Sequence, residues 1–574
     1  MPVANAEIAE QLDKIADLLD IEGANPFRVR AYRRAARLVE GLPRAVADML
    51  ASGEDLDDLP GIGRDLADKI GVIAKGGHLP LLDQLASEVT PGITELLRLP
   101  GLGPKRVHLL QETLGIDSIA KLEAAAKTGR LREVPGIGPG TEARVLRAIA
   151  AGAAATPRTK LAAAEQIALP LLAHIAGTPG VALAEVAGSF RRRRETVGDL
   201  DIVVAAASGQ EVMRRFTGYE NVAEVVEQGP TRATVRLRNG LQVDLRVVAE
   251  ASYGAALMYF TGSKAHNIAL RQLAVERGWK LNEYGLFQGE KLLAGRTEAE
   301  LYRRLGLATV PPELREDQGE VDAARRGRLP HLVTLGDIRG DLHVHTTGSD
   351  GTASVAEMAA AARARGYAYM AITDHSPRMA MVHGLDPRRL GRQIDEIERL
   401  NAKLSGFTVL ASIEVDILED GSLDLPDEAL RRLDLVVGAV HSRFNLPQAK
   451  QTERLLRAMD NRLLSIVAHP TGRMINERPA YDIDVERVLR GAAERGCALE
   501  VNAQPDRLDL ADTHCRLAKE VGAKVAISTD AHAPAQLDFM RFGLDQARRG
   551  WLEPADVLNT RDLAGLRAAL RRRR

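Results

Sequence analysis

Hydrophobic positions change their spacing several times along this chain. Up to about residue 155 they recur every three to four positions in short stretches, among them GRDLADKIGVIAKGG, GPKRVHLLQETLG and GPGTEARVLRAIAAG. That spacing predicts short amphipathic helices. From 156 to 250 the pattern turns mixed: the apolar runs VALAEVAGS, LDIVVAA, TRATVRL and LQVDLRVV predict strands, with helices before and between them. Residues 251–318 return to helix and short strand. The polar, glycine-spaced stretch PPELREDQGEVDAARRGRLPHLVTLGDIRG then reads as the passage to another domain. From 340 onward strand and helix alternate, and candidate strands end at DLHVH, YMAITDH, LASIEVD, VVGAVH, LSIVAHP, ALEVNA and VAISTDAH. Nearly every one finishes in His, Asp, Glu or Asn. In a (β/α) barrel the strand C-termini form the active rim, so this pattern gathers metal-ligand types in one place.

Composition changes this picture only at the margins. At 574 residues the chain exceeds one ordinary core, and 45% hydrophobic with 27% charged residues is globular usage. No uninterrupted apolar run is long enough to span a bilayer, and the start MPVANAEIAEQLDKI is too polar for a signal peptide. Two cysteines, Cys497 and Cys515, argue against a disulfide framework and for a reducing, cytoplasmic setting. Net charge is −1, so any nucleic-acid contact must come from local basic surface and oriented amides.

One phrase recurs among the first helices: LPGIG at 59–63, LPGLG at 99–103 and VPGIG at 134–138. Gly61, Gly63, Gly101, Gly103, Gly136 and Gly138 allow a tight turn, after which a new helix starts with unpaired N–H groups. Such a terminus binds phosphate without side-chain charge. Three copies look like helix–hairpin–helix motifs, which grip a DNA backbone without reading its sequence.

A sharper signal is GDLDIVV at 198–204. On a strand, Asp199 and Asp201 share a face while Leu200 turns into the core. Two carboxylates that close repel unless a cation lies between them, and a hard divalent ion suits oxygen ligands. Asp244, in VDLRVV, supplies a third carboxylate. Three on one sheet can hold two Mg²⁺, one activating a 3′-hydroxyl and one neutralising a triphosphate. Gly188 and Ser189 precede them, and the arginines at 191–194 are placed to meet the triphosphate.

Gly188–Ser189, then Asp-x-Asp, a later Asp and YFTGSKAHN at 259–267 together resemble the nucleotidyltransferase palm of family X DNA polymerases. The resemblance implies Asp199, Asp201 and Asp244 as metal ligands, with Asp244 as base. It implies Gly188, Ser189, Arg192, Gly198 and Gly262 around the nucleotide, and Arg246 as a switch partner near the carboxylates. Tyr259 and Phe260 would lie against the sugar, and Asn267 would reach the base edge. It also raises a 5′-deoxyribose-phosphate lyase through a Schiff base on Lys69, with Tyr32 and Arg28 on the phosphate side. Asp65 stands where a basic residue is expected, which opposes phosphate docking and favours Lys69 as a plain DNA-facing cation.

The second chemistry opens at DLHVHTTGSDG. His343 and His345 share a strand face, and Asp350, His375, Glu414, His441, His469, Asp530 and His532 follow at successive strand ends. Six imidazoles and three carboxylates suit Mn²⁺, Zn²⁺ or Fe²⁺, and their number implies two or three ions able to activate water on a phosphodiester. The set resembles the polymerase-and-histidinol-phosphatase (PHP) domain, which implies phosphoester hydrolysis. In polymerase fusions it implies a Mn²⁺-dependent 3′→5′ exonuclease, with abasic-site cleavage alongside. Arg473 and Arg507 are candidates for substrate phosphates, and His383 reads as exposed.

The expected fold is therefore multidomain. It has all-α helix–hairpin–helix domains (1–80, lyase-like; 81–155, fingers), an α/β palm (156–250), a small α+β thumb (251–318), a linker (319–339) and a distorted (β/α)7 barrel (340–574). The expected function is gap-filling DNA repair by a monomer on gapped or primer–template DNA with dNTPs. Two other readings compete: a DNA-targeted PHP phosphoesterase, and a non-catalytic gap-binding scaffold. Both predict lost ligands at one site or more, whereas every ligand position is filled.

Overall fold

The computed structural model describes residues 158–571 throughout and most of 3–149. Residues 1, 2, 4, 22, 23, 41, 43, 60, 89–92, 94, 95, 97–101, 103, 136, 139, 140, 143, 144, 147, 148, 150–157 and 572–574 are not described. Contacts divide the chain into two units, one of residues 1–158 with 238–240 and one of 159–237 with 241–574. Among the described residues no helix is long and apolar enough to cross a membrane.

The first unit is helical. Its core is built from one stripe of each helix, such as Ile8, Leu12, Ile15 and Leu19 of Asn5–Ile21 and Leu66, Ile70 and Ile73 of Arg64–Gly76. The repeated glycine turns feed this core too: Ile62, Leu102 and Ile137, the aliphatic residue between each pair of glycines, are all buried in it. Gly61 has a left-handed backbone (φ 80°), and Gly63 caps the helix Arg64–Gly76 with an extended one. Gly138 accepts from the amides of Thr141 and Glu142 as a helix begins. Gly101, Gly103 and Gly136 lie outside the described residues.

The second unit opens with a five-stranded sheet. Its order is Val181–Val186, Asp199–Ala206, Gln242–Val248, Arg232–Leu237 and Val222–Gln228. The apolar runs mark four of these strands; the fifth, Val222–Gln228, is an exposed edge whose VAEVVEQ carries no clean alternation. A three-stranded antiparallel sheet over 280–294 follows, packed with the helices Tyr253–Thr261 and Lys264–Val275.

Beyond residue 340 the strands are parallel and run in chain order. Gly340–Val344, Tyr369–Ile372 and Thr408–Ala411 form one sheet; Glu414–Asp416, Val437–Ala439, Ile466–Val467, Ala498–Asn502 and Val525–Ser528 form the next. The run LASIEVD thus breaks into two strands. Parallel bridges at His375↔Glu414 and Val344↔Ala531 join the sheets at both seams, so the strands close into a ring. Buried on both faces, they read as near-continuous aliphatic runs.

One expectation changes here. The stretch over 319–339, predicted as a linker from its polarity, is packed. Val333 and Ile338 belong to the barrel core, and Glu320 is wholly buried against His266. The Glu320 charge is matched internally, while Asp322, Arg325, Arg326 and Arg328 face solvent. The palm and barrel also share apolar contacts: Ile475, Ala503, Leu508, Phe539 and Phe542 of the barrel stretch lie in one core with Leu171, Leu200 and Phe216 of the palm.

The arginine run at 191–194 is divided by the fold. Arg191 is half-buried against Glu185 and Glu298, and Glu298 also binds the fully buried Arg315 at 2.5 Å. Burial alone would raise the Glu298 carboxyl, but Arg315 and Arg191 outweigh it and hold it at about 2. Its ordinary value is 4.5, so the stability it contributes is present above pH 4.5 and is lost as pH falls towards 2. The shift corresponds to about 3 kcal/mol. Glu298→Gln should lower the thermal transition of the full chain near pH 7, and the gap to the parent should narrow on acidification below about pH 4.5. A gap that stays constant into the acid range would remove this role from Glu298.

Candidate active sites

Parallel register builds the first site. Asp201 and Asp244 are direct partners on neighbouring strands, and Asp199 stands two residues before Asp201 on the same face. Leu200 points away and is wholly buried. Asp244 is held from both sides: Thr234 Oγ1 donates to its Oδ1 at 2.5 Å and Gln242 Nε2 to its Oδ2 at 2.9 Å. Burial, then the neighbouring Asp199 and Asp244, push the Asp201 carboxyl up to about 7, against the pull of Arg192 and Arg246. A carboxylate that retains its proton beside two others is one whose repulsion a divalent cation would relieve. The donor set fits such an ion.

Two glycines make room around it. A Cβ on Gly188 would stand 2.5 Å from Asp201 Oδ2, and its φ of 62° is left-handed. Gly262, with φ 68°, lets the Arg192 guanidinium in; a Cβ there would lie 3.2 Å from Arg192 Nη1. Ser189 follows Gly188 in the short helix Gly188–Arg191, and Gly198 is exposed just before the Asp199 strand. Arg192 donates from Nε to Glu316 at 3.0 Å and from Nη1 to the Thr261 carbonyl at 2.5 Å. Of the other arginines, Arg193 binds Glu165 and Asp545, and Arg194 is half exposed, 3.5 Å from Glu316. The run as a whole is therefore not a triphosphate clamp; only Arg192 lies close enough to act on Asp201.

Tyr259 and Phe260 are half-buried and meet edge to face, ring centroids 5.2 Å apart. The Arg246 guanidinium lies 5.3 Å from the Phe260 ring centroid, and its Nε is buried without a hydrogen-bond partner. Asn267 is buried; its Nδ2 donates to the Tyr259 carbonyl at 2.7 Å, and its Oδ1 has no partner.

In the first unit Lys69 Nζ pairs with Asp65 at 2.5 Å and sits 5.5 Å from the centroid of the buried Tyr32 ring. Burial would lower its ammonium, yet Asp65 and Tyr32 hold it above its ordinary value. Arg28 is exposed.

The second site stands where the parallel strands of the ring end. His343 and His345 meet through their Nε2 atoms at 3.1 Å, and His345 stacks on His532 with centroids 4.1 Å apart. Glu414 is buried at the centre: His375 Nδ1 lies 2.7 Å from its Oε2, while His469 and His441 lie 3.0 and 3.3 Å from its Oε1. Asp530 meets His345 at 3.1 Å, and Asp350 lies 3.6 Å from His375 and 3.5 Å from His532. Three groups have ligand atoms mutually within 4.8 Å: His345 with Asp350, His375 and His532; His343 with His345 and Asp530; His375 with Glu414 and His441.

The electrostatics fit cations. Burial would lower His375 and His441, but Glu414 outweighs it and pushes them to about 10 and about 9. His345 falls to about 4 through burial and the neighbouring His532 and His375. Protonated imidazoles thus stand where cations would, and with His345 Nδ1 and His469 Nδ1 buried and unpartnered the rings make a donor set that divalent ions would complete.

Other residues support both sites without having stood out in the sequence. Glu500 Oε1 accepts from His343 Nδ1 at 2.8 Å, and Asp416 Oδ1 from His441 Nδ1 at 2.6 Å. Each leaves the ring's Nε2 facing the cluster. Asp416 was findable by the rule that found Asp199 and Asp201, being two residues after Glu414 on one strand. Arg473 is engaged otherwise than expected: it binds Glu195 of the palm at 2.7 Å and the carbonyls of Arg507 and Leu508, so it is not free for substrate. Arg507 Nε lies 3.9 Å from Asp530, and His383 is exposed.

A carboxylate-bearing palm joined to a ring of imidazoles defines a chain with two phosphate-ester centres. Family models match its parts in order: a helix–hairpin–helix domain at 3–79, a SAM-like helix–hairpin–helix tandem at 93–151, a DNA polymerase beta thumb at 256–316 and a PHP domain at 341–504. The chain is 38% identical over 570 residues to the DNA polymerase/3′-5′ exonuclease PolX of Bacillus subtilis (strain 168), covering 99% of both proteins. It is 26% identical over 342 residues to DNA polymerase lambda of Rattus norvegicus, spanning 54% of this chain and 56% of that one. A probable phosphatase of Thermoanaerobacter sp. (strain X514) is 30% identical over 231 residues, 38% of this chain and 89% of the phosphatase. The chain belongs to the PolX family, the family X DNA polymerases with a C-terminal PHP domain.

Glu500→Gln should weaken binding of divalent cations by the purified chain about 10- to 100-fold, because His343 loses the carboxylate that orients it. Calorimetric titration with the cation alone reads this directly. Unchanged affinity would reduce Glu500 to a packing residue.

Proposed function

We propose that the chain fills short gaps in DNA by template-directed nucleotidyl transfer at the palm and shortens 3′ ends by hydrolysis at the PHP site. The observation that carries this reading is the Asp201↔Asp244 register beside Asp199, in one unit with eight imidazoles and carboxylates gathered into three overlapping groups, His469 lying 3.0 Å from Glu414 beside them. Two Mg²⁺ held by Asp199, Asp201 and Asp244 would supply activation of the primer 3′-hydroxyl and neutralise the triphosphate. Asp244, fixed by Thr234 and Gln242, is positioned to accept the hydroxyl proton. Ser189, Arg192 and the close backbone of Gly188, Gly198 and Gly262 hold the triphosphate, and the bulk of Tyr259 and Phe260 lies against the sugar. Arg246, stacked on Phe260, serves as the switch beside the carboxylates. Asn267 meets the base edge with its side-chain amide, whose Nδ2 is oriented by the Tyr259 carbonyl and keeps a second N–H to donate.

At the PHP site two or three Mn²⁺ or Zn²⁺ ions, held by His343, His345, Asp350, His375, Glu414, His441, His469, Asp530 and His532, would activate water and clamp a phosphodiester. Glu500 and Asp416 keep His343 and His441 aimed, and Arg507 at the rim meets the substrate phosphate. Water adds to the terminal phosphodiester, which releases a nucleoside monophosphate and restores a 3′-hydroxyl. The glycine turns of the first unit, Gly61, Gly63 and Gly138 among them, hold the duplex backbone through helix N-termini. Lys69 serves there as a DNA-facing cation, its amine kept protonated by Asp65. The working form is a cytoplasmic monomer.

A labelled primer on a one-nucleotide gap, incubated with Mn²⁺ with and without dNTPs, tests both centres. Extension should vanish in Asp199→Ala and persist in His343→Ala; shortening without dNTPs should do the reverse. Tight gap binding with neither product would support the scaffold instead. Borohydride reduction with a 5′-deoxyribose-phosphate end should leave no adduct on Lys69, since a protonated amine cannot add to the aldehyde. A Lys69-dependent adduct would restore the lyase.

A further inference from the structure

The helix Met540–Arg549 belongs to the barrel, yet one of its stripes faces the palm. Arg541 pairs with Glu165, Phe542 enters the palm core, and Asp545 binds Arg193. Four residues after Asp545, Arg549 reaches the backbone of Arg192. Its guanidinium is buried and its fork is divided. Nε and Nη2 donate to Asp512 Oδ2 at 2.9 and 2.6 Å, while Nη1 donates to the Arg192 backbone carbonyl at 2.8 Å and to Glu316 Oε1 at 3.1 Å. Glu316 Oε1 also accepts from Arg192 Nε. One barrel side chain thus holds both the main chain of Arg192 and the carboxylate that its guanidinium rests on.

We propose that Arg549, contributed by the PHP domain, is a positioning residue of the polymerase site that sets the position and availability of Arg192. The inference rests on the reading of Arg192 as a triphosphate ligand. Glu316 is a buried-side carboxylate shared by Arg192, Arg549 and, at 3.5 Å, Arg194. For Arg192 to turn from Glu316 to a triphosphate, Glu316 must keep a counter-cation, or a carboxylate is left uncompensated beside an anionic ligand. Arg549 is that cation. It is anchored on its far side by Asp512, so it stays when Arg192 leaves. Its bond to the Arg192 carbonyl meanwhile fixes the backbone from which that side chain swings. Without Arg549, the nucleotide would have to compete with Glu316 for Arg192. The loss would therefore fall on nucleotide affinity more than on the chemical step.

The test is dNTP titration of gap filling by the full chain, comparing Arg549→Ala, Arg192→Ala and the double variant, with 3′ shortening measured in parallel. Arg549→Ala should raise the dNTP KM about tenfold, the loss of one charge-assisted bond, with kcat and the shortening rate within about twofold. The double variant should be little worse than Arg192→Ala alone, because both act through one contact. If Arg549→Ala does not accumulate folded, Arg549→Lys, which cannot hold Glu316, Asp512 and the carbonyl together, should raise KM about threefold. Arg192→Ala with unaltered KM would overturn the triphosphate reading of Arg192. Arg192→Ala with a raised KM, but Arg549 variants with the parental one, would overturn only the role of Arg549. A parallel fall of extension and shortening in the Arg549 variants would make Arg549 a structural staple and equally overturn it.

Discussion

Charge taken out of water must be matched, and this constraint organises the second unit more than any single apolar contact. It operates in two ways. Where cations and anions of the chain itself balance, as with Glu298 between Arg191 and Arg315, the result is a closed internal network. Where one sign is in excess, as among Asp199, Asp201 and Asp244, or where imidazoles crowd around Glu414, an ion from outside would complete the balance.

This difference explains what could be read before the structure. The palm strands and the ring strands were legible because their period and their aliphatic content are local properties. The clustering of carboxylates and imidazoles was legible because i and i+2 on a strand share a face whatever the rest of the fold does. Asp199 with Asp201, and His343 with His345, needed no long-range knowledge. The family resemblance extended the reading to residues such as Arg246 and Asn267, where geometry alone offered no signal.

What escaped was pairing across distance. Nothing local distinguishes Arg192 from its three neighbours in RRRR; their separate fates depend on Glu298, Glu316 and Asp545, up to several hundred residues away. For the same reason the stretch beginning PPELRED looked like a linker. Polarity predicts solvent exposure only if the partners are water, and for Arg315, Glu316 and Glu320 they are Glu298, Arg192, Arg549 and His266. Arg473 was misplaced by the same logic, since its partner Glu195 lies in the palm. The edge strand Val222–Gln228 escaped for a different reason: exposed on most of its length, it has no buried face to impose a period.

The mixed apolar core, in which Phe539 and Phe542 of one stretch pack with Leu200 and Phe216 of another, bears on how synthesis and removal are partitioned. Separate modules on a tether could swing a primer terminus from one centre to the other by rotating against each other. Side chains interdigitated in a common core forbid that rotation, because it would expose apolar surface with no compensation. Travel between the centres then falls to the nucleic acid. The commitment to extend or to excise would then be a race between nucleotide capture and melting of the terminal base pair, in which a mispaired terminus, fraying more readily, would mark itself for excision.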